Sequence, residues 1–231
     1  MAKRLQSLAY VGAFLVVALL TSFVARAAPS AAAAAVPAPS DAQSNKNLRA
    51  AAEPFEKLTE ISFSAAWPMI DQTIGEAEAA AARVRGSLTQ DAAGQLDARI
   101  TAIKSARQKH DRAKLALSSI ETYRVLVSAV TDNAKIPTEV SLLDYAGFRH
   151  DANLKANPVG WDDMAHAAAF ARKTWDALSP KAEASPVAVK FEKALADMDK
   201  AVVQRSKSLA ASSVKIELDL VDQLEQFFSA N

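Results

Sequence analysis

The chain has 231 residues, no cysteine, and 27 basic against 26 acidic side chains. The lack of cysteine excludes disulfides, thiolate metal sites, covalent c-type haem and a cysteine nucleophile. The near-zero charge gives no basic face of the kind nucleic-acid binding requires, so nucleic acid is excluded as a partner.

Lys3 and Arg4 precede an apolar run from about Leu8 to Val24, and Ala25-Arg26-Ala27 follows as a small-residue cleavage pattern. Residues 1–27 therefore read as a secretory signal peptide, which predicts export to a periplasm. The run approaches the ~18 residues at which a spanning helix forms. An uncleaved N-terminal anchor is thus the alternative, and the one route by which a membrane contact is expected. Without Lys3, Arg4 and Arg26, 24 basic and 26 acidic residues remain, a net −2. Residues 28–45 are almost all Ala, Pro and Ser, with almost no large apolar side chain to bury. They are expected to form a disordered or semi-extended tether. Residues 46–231 are enough for one domain with its own core.

Four long amphipathic segments follow. The first runs from Leu48 to Arg85, with Pro68 inside it predicting a kink near Trp67-Pro68 or two stacked pieces. The second starts at Thr89, a good N-cap, and runs to Thr131. Its apolar stripe includes Ile103, His110 and Leu117 at seven-residue spacing. The third begins at Pro137, breaks at Asn157–Gly160, and resumes from Trp161 to Leu178. The fourth runs from Pro186 to Phe228, with Phe191, Met198, Ile216 and Leu220 on its stripe. No internal repeat is evident. The expected fold is all-α: an elongated antiparallel up-down four-helix bundle, its first helix kinked near Pro68 and its third broken near Pro158. At 1.5 Å per residue, ~40-residue helices would span ~60 Å.

Enzyme signatures are missing. There is no G-x-S-x-G, H-E-x-x-H or G-x-G-x-x-G. Asp163-x-x-His166 occurs once, where a diiron bundle needs two Glu-x-x-His pairs and two further Glu. The plan resembles the b- and c′-type bundle cytochromes, but the c′ attachment motif is absent and the last helix has no histidine. That leaves Met69 with His110 as the weakest candidate, a non-covalent haem pair.

The three histidines differ. His110 and His150 both fall on apolar arcs and are expected to face inward. If their helices adjoin, the two imidazoles with a carboxylate would suit Zn or Cu. His166 is expected at the surface. Asp144, Asp151 and Lys155 share one arc that reads as solvent-facing. Tyr145, Arg149, His150 and Trp161 form a polar-aromatic set near the break, in which Arg149 is suited to an anion. The functional expectation is a non-catalytic periplasmic bundle that binds a small ligand or a metal ion, as sensor, carrier or buffer. A chaperone-like or scaffold bundle that binds another periplasmic protein is the alternative, and a haem electron carrier the lesser one. The pattern suits a monomer or a dimer.

Overall fold

A computed structural model of the chain describes residues 41–131 and 135–230. The signal peptide expected over 1–27 and most of the tether lie outside these residues. The protein is all-α, and the described residues form eight helices. These are α1 (Asp41–Ile61), α2 (Trp67–Val84), α3 (Gln90–Gln108), α4 (Arg112–Ser128), α5 (Thr138–Leu154), α6 (Trp161–Ala182), α7 (Ala188–Gln204) and α8 (Lys207–Ala230). None of them is long and apolar enough to cross a membrane. Residues 41–45, expected as the end of the tether, belong to α1. Asn45 is buried there, and its Oδ1 accepts a hydrogen bond from Thr131 N at 3.1 Å.

Four long helical segments were expected, the first kinked near Pro68 and the third broken near Pro158, but each of the four turns back on itself. The longest described helix has 24 residues. The reversals have local causes. At the first, Ser62 Oγ donates to Leu58 O (2.5 Å), and Arg112 of α4 donates to Ser62 O (2.5 Å) and Ala65 O (3.0 Å). Ala66 is extended and Pro68 stands in the first turn of α2. Pro68 therefore starts a helix, where its missing N–H costs nothing, rather than kinking one. At Asn157–Gly160 the expected break is present, and Gly160 N donates to Asn153 O at 3.1 Å. A Cβ at Gly160 would run into the Asn153 amide, so glycine is required at that close approach.

The other two reversals carry no glycine, which is why periodicity ran straight through them. His110 (φ 55°) and Arg205 (φ 48°) are both left-handed. Asp111 N bonds Ala106 O and His110 N bonds Arg107 O; Ser206 N bonds Ala201 O and Arg205 N bonds Val202 O. Both are Schellman helix endings with a non-glycine residue where glycine is usual. Arg205→Gly should therefore stabilise the protein by about 1 kcal/mol, raising Tm by roughly 2–4 °C. Thermal unfolding reads this, and an unchanged Tm would show that the left-handed arginine is not strained.

Packing divides the helices into two sets of four. In the first, α1 packs on α2 and α4, and α3 on α4 and α2; in the second, α5 packs on α6 and α8, and α7 on α8 and α6. The α4–α5 contact joins them, with a smaller one between α1 and α5. The halves repeat each other. His110 and Arg205 are 95 positions apart. Every buried residue of α2 recurs as a buried residue of α6 at 94 positions, from Ile70 and Met164 to Val84 and Leu178. Leu48, Ala51, Ala52 and Phe55 of α1 correspond at 95 positions to Leu143, Ala146, Gly147 and His150 of α5. The same interval relates Leu96 and Ile103 to Phe191 and Met198, and Leu115 and Thr122 to Ala210 and Glu217. The repeat is one of buried positions more than of residue types, so it escapes the sequence.

Candidate functional site

The joint between the halves holds a cleft of about 510 Å³ lined by Arg99, Leu117, Glu121, Arg124, Tyr145, Arg149, Asp163 and Phe170. α4 supplies Glu121 and Arg124, three residues apart on one face. α5 supplies Tyr145 and Arg149, one turn apart. Asp163 comes from the first turn of α6, where an acid also suits the helix dipole. Arg99 reaches in from α3.

These groups form one network. Tyr145 Oη donates to Glu121 Oε1 at 2.7 Å and accepts from Arg149 Nη1 at 2.7 Å. Arg149 binds Asp163 through both arms of its guanidinium, with Nε to Oδ2 at 3.0 Å. Asn153 Nδ2 donates to Asp163 Oδ2 at 2.5 Å and to Arg149 O at 3.0 Å. Glu121 lies 3.2 Å from Arg124, 3.6 Å from Arg149 and 3.7 Å from Arg99. Burial pushes Asp163 up, but the hydrogen bonds from Arg149 and Asn153 and the Arg149 charge bring its carboxyl below the usual range. Burial and the Glu121 hydrogen bond push the Tyr145 hydroxyl up to about 12. Burial works against the charge of Arg149, yet the Asp163 hydrogen bond and the surrounding negative groups hold its proton more firmly than usual. Three guanidinium groups face two carboxylates, so the cleft carries one unbalanced positive charge.

Of the four residues expected here, Tyr145 and Arg149 meet as anticipated, while His150 and Trp161 do not join them. His150 follows Arg149 but projects into the second half, where it is fully buried and neither ring nitrogen has a hydrogen-bond partner. Burial lowers its pKa to about 4. Trp161 is half-buried and packs against the small core cluster of Met164, Ala201 and Ala210.

The expected metal pair is not assembled. His110 is exposed at the α3–α4 reversal, where its ring meets the edge of Trp67 at 5.0 Å and its Nε2 accepts from Arg107 Nη1 at 3.3 Å. The seven-residue spacing put it on the core stripe, but the helix ends before it. Met69 is 55% exposed in the first turn of α2, so Met69 and His110 make no enclosed haem pair. Among the described residues no group of three or more His, Asp or Glu side chains is gathered for a metal. His166 is exposed, as expected.

Two buried acids were missed. Asp144, read as solvent-facing, is buried and hydrogen-bonded to Glu56. Burial and the charge of Glu56 hold its carboxyl well above the usual range, and burial raises Glu56 and Glu225 beside it. A cavity of about 410 Å³ adjoins them, lined in part by Glu53, Glu56, Tyr123 and Glu225. Glu217 is fully buried in α8, and neither carboxyl oxygen has a partner. Spacing alone finds it, because it continues Ala210, Ser213 and Val214 and precedes Leu220, Val221 and Leu224. Its neighbour Ile216, placed on the stripe for its apolar side chain, is 48% exposed. Gly147 makes room for Glu217: a Cβ there would fall on Glu217 Oε2 and within 2.6 Å of Leu218 Cδ2. Gly147→Ala should accordingly destabilise the protein by about 1–3 kcal/mol despite the better helix propensity of alanine. A urea midpoint equal to that of the wild type would show that α8 yields without cost.

Comparison with protein-family models, with characterised proteins and with solved structures finds no match to this chain.

Proposed function

We propose that this is an exported, periplasmic, non-catalytic helical protein that binds a small anionic ligand in the cleft between its two halves. The observation that carries the reading is the convergence of Arg99, Arg124 and Arg149 on one cleft that holds only two carboxylates. Guanidinium groups bind carboxylate and phosphate through paired N–H donors. Arg149 is fixed by Asp163 and Tyr145 and sets the wall of the site. Arg99 and Arg124 are 42% and 31% exposed and supply the donors that reach a ligand. Asp163 titrates below the usual range and Tyr145 far above neutrality, so neither is tuned for proton transfer near pH 7. This favours holding a ligand over transforming it. The signal pattern of residues 1–27 supports the periplasmic placement.

The test is calorimetric titration with phosphate, sulfate, succinate and citrate, with spermidine as the cationic control. One of the anions should bind, more weakly as salt rises, and the Arg99→Gln/Arg124→Gln double variant should lose that binding while keeping its helicity. Anion binding of equal strength in the double variant, or none in the wild type, would sink the reading.

A further inference from the structure

The two halves differ most in what they place at corresponding buried positions. In the first half Phe55 of α1, Ile70 of α2 and Ile103 of α3 are ordinary apolar core, and Thr122 of α4 satisfies its hydroxyl on Ser118 O. The corresponding residues of the second half are His150 of α5, Met164 of α6, Met198 of α7 and Glu217 of α8. All four are fully buried. One nitrogen, two sulfur and one carboxylate donor thus stand, one from each helix, where the sister half has three apolar side chains and a threonine satisfied within its own helix.

The register keeps the four at neighbouring levels. Glu217 lies against Gly147, one turn before His150 on α5. The Asn153–Asp163 hydrogen bond sets the start of α6, and hence Met164, beside the His150 turn. Met164 packs with Ala201, one turn from Met198 on α7, and Met198 packs in the adjoining main core. Around them the core residues are small: Gly147, Ala167, Ala168 and Ala194. Both nitrogens of His150 and both oxygens of Glu217 lack a hydrogen-bond partner among the described residues. Four orphaned polar atoms in one helical core call for an occupant, since buried polar groups in folded proteins are almost always satisfied.

We propose that the interior of the second half binds one soft monovalent cation, Cu(I), with His150, Met164, Met198 and Glu217 as its ligands. Thioethers and imidazole select Cu(I) over harder ions, and in a chain without cysteine the methionines are the soft donors available. No group of three His, Asp or Glu side chains is gathered among the described residues, so the usual Zn²⁺ ligand set is not assembled there. The Glu217 carboxylate balances the single positive charge, so the loaded core is neutral and the penalty of burying an ion is reduced. No electron transfer is involved: the ion enters and leaves as Cu(I), and the only proton displaced is that of the Glu217 carboxyl. This site is independent of the arginine cleft.

The experiment is an anaerobic titration of the purified protein with the coloured Cu(I)–bicinchoninate complex, ascorbate present. One equivalent of Cu(I) should be withdrawn. His150→Phe should abolish the withdrawal. Met164→Ile and Met198→Ile should each weaken it at least about tenfold. These three changes restore the first half's residues, so helicity by circular dichroism should persist. Met69→Ile, at the surface, and the Arg99→Gln/Arg124→Gln pair should leave copper uptake unchanged, which separates this site from the anion cleft. No withdrawal by a helical wild-type protein, withdrawal that survives His150→Phe, or indifference to both methionine changes would overturn the proposal. So would stoichiometric Zn²⁺ binding with no Cu(I) withdrawal.

Discussion

Acidification of the metal-free protein from pH 7 to pH 4 is expected to cost about 3 kcal/mol through His150 alone. The imidazole titrates near 6.5 when unfolded and at about 4 when folded, because burial opposes its charge. Folding thus excludes the proton. The contribution of His150 is complete above about pH 6.5, falls as pH drops through the window between the two values, and is exhausted below about 4. Glu217 and Asp144 act with the opposite sign. Their folded pKa values are raised, so the stability they give is present at low pH and is lost as pH rises through those values. The comparison that isolates the histidine is therefore wild type against His150→Phe, by urea denaturation at pH 7, 5.5 and 4. The variant should gain on the wild type by about 3 kcal/mol across that range. Parallel acid profiles for the two proteins would remove His150 as the source.

Arg149→Ala is the other large effect, at about 2–3 kcal/mol of destabilisation. Arg149 is 22% exposed, and its removal leaves Asp163 without its bidentate partner and Tyr145 without a donor. Breaking a fully buried pair costs ~3–5 kcal/mol, and partial exposure reduces that. Arg149→Lys should recover only part of the loss, since an ammonium keeps the charge but cannot serve Asp163 and Tyr145 with one rigid fork. Chemical denaturation of both variants checks this. A cost below ~0.5 kcal/mol for Arg149→Ala would place the network among surface ion pairs of little consequence.

Helical content, the Thr89 cap, the break at Asn157–Gly160 and the inward face of His150 were all legible in the sequence. Each rests on local chemistry: spacing, a side-chain cap, a glycine. The division of the second and fourth segments was not legible, because His110 and Arg205 adopt a backbone conformation that residue type does not advertise. Misplacing His110 in a continuous helix also made it a false partner for His150. At Pro68 a kink and two stacked pieces stayed open, because the choice depends on Ala66 being extended, which is a tertiary outcome helped by Arg112. Tyr145 and Arg149 were found for their chemistry, but Glu121, Arg99 and Arg124 join them only through the α4–α5 contact. Asp144 and Glu217 were passed over because acids are presumed exposed, whereas their spacing within buried stripes said otherwise.

The pairing of the halves through α4 and α5 has a consequence for how the molecule breathes. α4 is held by α1, α3 and α5, and α5 by α4, α6 and α8. α2, α3, α6 and α7 pack on helices of their own half. Partial openings that release one of these outer helices leave the central pair clasped from the other side. Backbone amides of α4 and α5 should then exchange with deuterium last, through global unfolding, and those of the outer four earlier, through smaller cooperative units. Glu121, Arg124, Tyr145 and Arg149 of the arginine cleft stand on this central pair, so a ligand would meet a rigid wall on that side, while Arg99 of α3 and Asp163 of α6 come from helices that open earlier.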